Sequence, residues 1–123
     1  MLFRSQAAFE PLFNEYNVDI VLSGHVHAME RNAPIAKNVT DPNGLNNPKA
    51  PLYLTNGAAG HFEGLDTLNS PLPSYVTYAN NTKFGYSLLT FHNITHMTHN
   101  FISSASGQVL DSATLYKERS FPF

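Results

Sequence analysis

The first apolar pattern in the chain has the spacing of an amphipathic helix. Its members recur at intervals of three and four residues: Phe9, Leu12, Phe13 and Tyr16. Because these intervals place side chains on one helical face, the pattern predicts a helix over residues 4–16. Ser5 can cap its start. Pro11 requires either a kink or a regular helix that begins near Phe9 with the proline in its first turn.

A short apolar run from Val18 to Leu22 follows the helix. It is typical of a strand that is buried on both faces in a parallel or mixed sheet. A helix followed by such a strand is half of an α/β unit. In open α/β sheets, ligands bind where strands end at their carboxyl side, and His25 and His27 come directly after this strand. Gly24 permits a sharp bend and the close approach of a second segment.

Two alternatives remain open for this histidine pair. Neutral imidazole is the commonest protein ligand for metal ions, so two imidazoles at a rigid strand end favour a metal site. In extended backbone, side chains two residues apart point the same way, whereas near a turn they can diverge towards two adjacent ions. The competing interpretation is a surface loop in which His25 and His27 occur by chance.

The pattern changes twice along the rest of the chain. Residues 32–51 are rich in Asn, Pro and Gly and predict a loop of nearly 20 residues. Leu52 to Thr55 predicts a second short strand, and residues 63–81 again resemble a loop. The last third contains three aromatic and β-branched runs, at residues 86–91, 95–102 and 108–116. The short turns between these runs predict antiparallel hairpins.

Composition narrows the classes of function. The chain has 123 residues, the size of one domain, with a formal net charge of −2. It has no cluster of Lys and Arg, which argues against a nucleic-acid or membrane partner. No apolar stretch approaches the roughly 20 residues of a membrane-spanning helix, and the start at Met1 has no apolar region typical of a signal peptide. Cysteine is absent, so disulfides and thiolate metal sites are excluded.

Three N-x-Thr sequons are candidates for N-glycosylation, at Asn38, Asn80 and Asn93. Three such triplets in a short chain favour a secreted, extracellular glycoprotein. The absence of cysteine argues in the opposite direction, because secreted domains are often stabilised by disulfides.

Several segments resemble a known family. Gly24-His25-Val26-His27 resembles the last metal-binding motif of calcineurin-like metallophosphoesterases. Other stretches are similar to purple acid phosphatases in particular, nearest to fungal members. They are residues 9–13, 18–31, 51–60, 84–90 and 107–111. The resemblance covers almost the whole chain, but only the C-terminal part of the family's catalytic unit.

The resemblance implies a fold and a division of the chain. The expected class is α/β (α+β), as the C-terminal part of a four-layer α/β/β/α metallophosphoesterase sandwich that ends in antiparallel strands. Residues 1–48 would be the end of the catalytic domain, with its helix, strand and histidine loop. Residues 49–118 would be the C-terminal module of purple acid phosphatases.

The resemblance also implies a chemistry. It indicates a metal-dependent acid phosphatase that hydrolyses phosphate monoesters at a dinuclear centre, with Fe(III) beside Zn(II), Mn(II) or Fe(II). By the same resemblance, His25 would bind the divalent ion and His27 the ferric ion. The family's other ligands are two aspartates, a tyrosine, an asparagine and a histidine from upstream motifs that this sequence does not contain. We therefore expect a C-terminal fragment that is inactive alone and whose partner is the missing N-terminal part of the catalytic domain.

Further residues are candidates for supporting roles. Glu30 and Arg31 follow the histidines and could orient a ligand, or could form a local surface ion pair instead. His61 follows a Gly/Ala loop and is a candidate residue of the substrate pocket, without an assigned catalytic role. His92, His96 and His99 are predicted to be exposed hairpin histidines. Alternative functions are another metallophosphoesterase, such as a phosphodiesterase, or a non-catalytic β-rich binding module.

Overall fold

The computed structural model describes residues 3–119, with side chains from Ser5 onwards. The expectation about a leader at Met1 therefore lies outside the described residues. Within residues 3–119 the chain forms one helix and nine strands. They are α1 (Phe3–Glu15), β1 (Ile20–Ser23), β2 (Met29–Asn32), β3 (Ile35–Ala36), β4 (Val39–Thr40), β5 (Leu52–Asn56), β6 (Val76–Asn80), β7 (Gly85–Phe91), β8 (His96–Ser103) and β9 (Val109–Tyr116).

The strands form two main sheets and one small hairpin. The first sheet has the order β1-β5-β2-β6, the second has the order β7-β8-β9, and β3 pairs with β4. Among the strand pairs of the described residues, β1–β5 is parallel and the others are antiparallel. The first sheet combines strands from residues 1–48 and 49–118, so the two predicted segments share one sheet.

The hydrophobic core lies between the two main sheets. Met29, Leu52 and Leu54 of the first sheet are almost fully buried, and so is Phe101 of β8. Helix α1 packs on the opposite face of the first sheet, where the Phe13 ring lies 6.5 Å from the Tyr53 ring. The described residues thus form a helix, a sheet and a second sheet in three successive layers, and the α/β (α+β) fold class is confirmed. Across that part of the chain, no helix covers the outer face of the second sheet.

The second sheet agrees with the hairpins predicted from the sequence. Its three strands lie within one residue of the predicted runs, and their registers are continuous apart from one irregularity after Phe101. Short turns and β-branched residues determine this pairing locally, which explains why the sequence pattern is sufficient.

Four strands were not predicted. Residues 32–51 contain the β3–β4 hairpin, and residues 63–81 contain β6. Strand β2 has the polar sequence Met-Glu-Arg-Asn, yet it pairs on both sides, with β5 and with β6. Such short or polar strands form because of their tertiary neighbours, which a propensity pattern does not register.

One prediction of burial was wrong. In the described part of the chain, β1 lies at the edge of its sheet and pairs with β5 alone. Its residues are half-buried or exposed rather than buried on both faces, and Leu22 is 59% exposed. On α1, the predicted apolar face is also largely open: Phe9 is 52% exposed and Tyr16 is 72% exposed. In both cases, no described element covers the outward side.

The segment after β4 is ordered by one carboxylate. Asp41 accepts hydrogen bonds from the backbone N–H groups of Asn43 at 2.9 Å, Lys49 at 2.7 Å and Ala50 at 3.2 Å. Burial raises the pKa of the Asp41 carboxyl, but the three N–H donors and nearby Lys117 outweigh it and hold that pKa below its ordinary value. The predicted loop is therefore fixed by specific contacts.

No helix in the described range is long and apolar enough to cross a membrane.

Candidate metal centre

The parallel pairing of β1 and β5 brings two loops to one edge of the first sheet. Ser23 at the end of β1 is paired with Thr55 of β5, and their hydroxyl oxygens are 2.8 Å apart. Because parallel strands end at the same edge, the segments that follow them must be neighbours. One segment contains His25 and His27, and the other leads to His61.

The two loops approach each other at Gly57. A Cβ atom placed on Gly57 would lie 2.2 Å from the carbonyl oxygen of Val26 and 2.3 Å from that of Gly24. The Gly57 N–H donates to the carbonyl of Ala28 at 3.0 Å. The sequence-based expectation assigned the close approach to Gly24, where an added Cβ would meet only the Asn56 oxygen at 4.0 Å. The glycine that the approach requires is therefore Gly57.

The structure places His27 beside His61. Their ring centroids are 4.5 Å apart. One donor atom each from His27, His61 and Glu63 lies within 4.8 Å of the other two. His27 is half-buried, whereas His61, Glu63 and His25 are exposed. His25 follows β1 as expected, but it does not belong to this group of three.

Asp66 fixes the second loop against His27. The His27 N–H donates to Asp66 Oδ2 at 2.7 Å, and the Asp66 N–H donates to the carbonyl of His27 at 2.9 Å. The amide of Asn81 donates to the carbonyl of Asp66 at 3.1 Å. This reciprocal pair sets the position of the loop relative to the histidine. Sequence reasoning missed Asp66, because an acidic residue in a loop gives no local signal.

A tight turn sets His61 and Glu63 on the same side. The Gly64 N–H donates to the carbonyl of His61 at 2.9 Å, and Gly64 has a φ of 79°, a value that favours glycine. Within this turn the Glu63 N–H donates to Nδ1 of His61 at 3.3 Å, and Glu63 Oε2 lies 3.5 Å from that nitrogen. Phe62, between them, is 91% exposed.

Glu30 and Arg31 lie on opposite faces of β2, so they do not form a local ion pair. Glu30 lines a cavity on the α1 side of the sheet, together with Glu10 and Tyr53. Arg31 donates from Nε and Nη2 to the two carboxylate oxygens of Asp111, at 2.8 and 2.9 Å. This bidentate pair joins the first sheet to β9. Within residues 5–119, neither side chain hydrogen-bonds to the candidate metal ligands.

His99 is fully buried, so the expectation that all three hairpin histidines are exposed was wrong for this one. Its Nε2 lies 2.9 Å from the hydroxyl oxygen of Ser87, which accepts a hydrogen bond from the Asn56 amide at 2.8 Å. The side-chain Oδ1 of Asn56 in turn accepts from the N–H of Ala58 at 3.0 Å. The buried histidine therefore supports the start of the loop that leads to His61. His92 and His96 are exposed, as predicted.

The buried imidazole predicts a pH-dependent stability. Burial lowers the pKa of His99 below its ordinary value of 6.5, with a further lowering from Arg31 and an opposing effect of Asp111. Since the folded pKa is depressed, the unfolded chain binds more protons, and stability is lost as the pH falls below about 6.5 towards the folded pKa. His99→Gln should reduce this slope, measured as the free energy of unfolding in urea at several pH values. His96→Gln is the exposed control, and an unchanged slope in the His99 variant would contradict the prediction.

Comparison with known proteins supports the resemblance seen in the sequence. Residues 50–112 match the family described as "Iron/zinc purple acid phosphatase-like protein C". "Acid phosphatase A" of Cryphonectria parasitica is 42% identical over 118 residues, which cover 96% of this chain and 23% of that protein. "Fe(3+)-Zn(2+) purple acid phosphatase 12" of Arabidopsis thaliana is 35% identical, over 88% of this chain and 24% of the relative.

A solved structure agrees with these sequence relatives. The purple acid phosphatase PPD1 from yellow lupin seeds superimposes with a TM-score of 0.81 and 26% identity, covering 89% of this chain and 19% of that chain. The two-sheet fold with a histidine loop at the carboxyl edge thus has the architecture of the C-terminal part of a metal-dependent phosphatase. The chain belongs to the purple acid phosphatase family. It spans about a quarter of the length of the curated relatives that it matches.

Proposed function

We propose that this chain is the C-terminal part of a metal-dependent acid phosphatase that hydrolyses phosphate monoesters. In this proposal, His25 and His27 each donate one ligand to a dinuclear centre of Fe(III) with Zn(II), Mn(II) or Fe(II). The single observation that carries the proposal is the position of both histidines directly after β1, at the carboxyl edge of a parallel strand pair. Membership of the family supports it, as does the printed name of the iron–zinc relative.

The donor atoms at the carboxyl edge of the first sheet suit iron and zinc ions. Imidazole nitrogen suits zinc and iron, and carboxylate oxygen completes the set of donors that these metals accept in proteins. When bound, such ions supply Lewis acidity towards phosphoryl oxygens and lower the pKa of water. The chain itself holds His27 in place through Asp66 and leaves His25 open to solvent. Gly57 allows the histidine loop to lie close to its neighbour.

The chain requires a partner to complete the centre. Zinc sites use about four ligands, and the two histidines supply at most one to each ion. We propose that the upstream part of the catalytic domain supplies the others. The uncovered apolar side chains of Phe9, Leu12 and Tyr16 on α1, and of Leu22 at the sheet edge, support such a partner. An unpaired strand edge beside exposed apolar groups is a surface that proteins normally cover.

We further propose that the protein is secreted and glycosylated. Asn38 and Asn93 are exposed, whereas Asn80 is half-buried. Glycans should therefore be better accommodated at Asn38 and Asn93. A mass decrease on glycosidase treatment, after expression through a secretory pathway, would support this proposal; an unchanged mass would contradict it.

We also propose that the chain divides into residues 1–48, from the catalytic domain, and residues 49–118, the C-terminal module. The family match at residues 50–112 supports this division.

The proposal predicts no phosphatase activity for the isolated chain. Activity should appear when residues 1–119 replace the corresponding C-terminal quarter of Acid phosphatase A from Cryphonectria parasitica. The measurement is release of an aryl alcohol from its phosphate monoester at acidic pH, with the corresponding diester as the comparison. Turnover by the isolated chain, or a well-folded but inactive chimaera, would contradict the proposal. Preference for the diester would indicate a phosphodiesterase instead.

A further inference from the structure

We propose that His27, His61 and Glu63 form a three-ligand site that binds one divalent cation of the zinc type in this chain alone. Three donor atoms from these side chains lie within 4.8 Å of one another. This site shares His27 with the proposed function but does not use His25. It adds two residues that come from the loop after β5.

The donor spacing is close to that of a metal site. Ligand atoms bound to one tetrahedral zinc at about 2.0–2.1 Å lie roughly 3.4 Å apart. Donor atoms at the 4.8 Å limit must therefore approach by roughly 1.4 Å. His61 and Glu63 are exposed, so their side chains can make this movement without disturbing the core. One pair of donor atoms already has this spacing, since Glu63 Oε2 lies 3.5 Å from Nδ1 of His61.

Backbone hydrogen bonds preorganise the three ligands. The reciprocal hydrogen bonds of Asp66 tie the His61 loop to His27, at 2.7 and 2.9 Å. The turn closed by Gly64 presents His61 and Glu63 together. Because this part of the backbone is fixed before a metal binds, less conformational entropy is lost on binding than in a free loop. A favourable chelating arrangement therefore exists without any upstream segment.

The ligand types select the kind of cation. Two imidazoles and one carboxylate suit zinc and its spectroscopic substitute cobalt, whereas magnesium and calcium prefer oxygen ligands. Three protein ligands leave a fourth position of a tetrahedral site for water or a small anion. We therefore expect binding of zinc or Co(II) at one equivalent per chain, with little competition from magnesium.

The test is a titration of the 123-residue chain with zinc chloride by calorimetry, and with Co(II) by visible absorbance. His61→Ala and Glu63→Gln should each weaken zinc binding by at least about tenfold, the scale of effects seen at metal sites. His27→Ala should do the same. His96→Ala, on an exposed hairpin, is the control and should bind as the unaltered chain does. His25→Ala, in the same loop as His27, distinguishes this site from the histidine pair, because only the pair requires His25. Circular dichroism should show that every variant remains folded.

The zinc and Co(II) titrations distinguish the three-ligand site from the histidine pair. A tetrahedral Co(II) spectrum that is lost in the His61 and Glu63 variants and kept in the His25 variant would support it. Absence of zinc binding, or unchanged binding by the His61 and Glu63 variants, would overturn it. Loss of binding in the His25 and His27 variants alone would also overturn it, while leaving the proposed function intact, because that pattern points to the histidine pair.

Discussion

Gly57→Ala should destabilise the protein by about 3 kcal/mol or more, the upper range for inserting atoms into a packed site. The added Cβ would lie 2.2 and 2.3 Å from two carbonyl oxygens, far inside van der Waals contact. These oxygens belong to the backbone on either side of His25, so the loop must move. We therefore expect both a lower free energy of unfolding in urea and altered NMR signals for the histidines.

A matched control lies in the same loop. Gly24→Ala places its Cβ no closer than 4.0 Å to a neighbouring atom, and Gly24 does not have a left-handed φ. That substitution should change stability by less than about 1 kcal/mol, the usual range for sites free of special constraints. Equal effects of the two substitutions would show that the two loops do not approach each other at Gly57.

The second large effect concerns the ion pair between the two sheets. The side chains of Arg31 and Asp111 are 13% and 8% exposed and form two parallel hydrogen bonds. Arg31→Met or Asp111→Leu should each cost about 3–5 kcal/mol, because each leaves one buried charge without its partner. Urea denaturation of the single and double variants measures this directly.

The double variant is the decisive comparison. Arg31→Met with Asp111→Leu removes both charges, so its loss of stability should be much smaller than the sum of the single losses. Arg119→Met, in a more exposed ion pair with Asp19, is the control and should cost less than about 1 kcal/mol. Additive single effects would contradict the account of a buried, coupled pair.

Much of the fold could be predicted from local patterns. The second sheet follows from three β-branched runs joined by short turns, and α1 follows from the period of its apolar residues. Strand β2 could not be predicted in this way, because Glu30, Arg31 and Asn32 become strand residues only through pairing on both sides. Burial was misjudged for Leu22 because the pattern does not show whether a strand has one neighbour or two.

The candidate site was predicted only in part. His25 and His27 stand out because they follow an apolar run and match a known motif. His61 was predicted only as a candidate pocket residue. Its position beside His27 could not be predicted, since it depends on the parallel pairing of β1 with β5, 32 residues apart at Ser23 and Thr55. The contribution of Asp66 likewise depends on tertiary structure. His99 was assigned to the surface because the sequence alone does not show which face of β8 meets the core.

The metal content of the chimaera with Acid phosphatase A tests the central claim most directly. With residues 1–119 in place, the account predicts two metal ions per molecule, as in dinuclear phosphoester hydrolases. His25→Ala and His27→Ala should each lower that content and the phosphatase activity together, whereas His96→Ala should lower neither. A full complement of metal and full activity in a chimaera without either histidine would contradict the claim that this pair forms part of the centre.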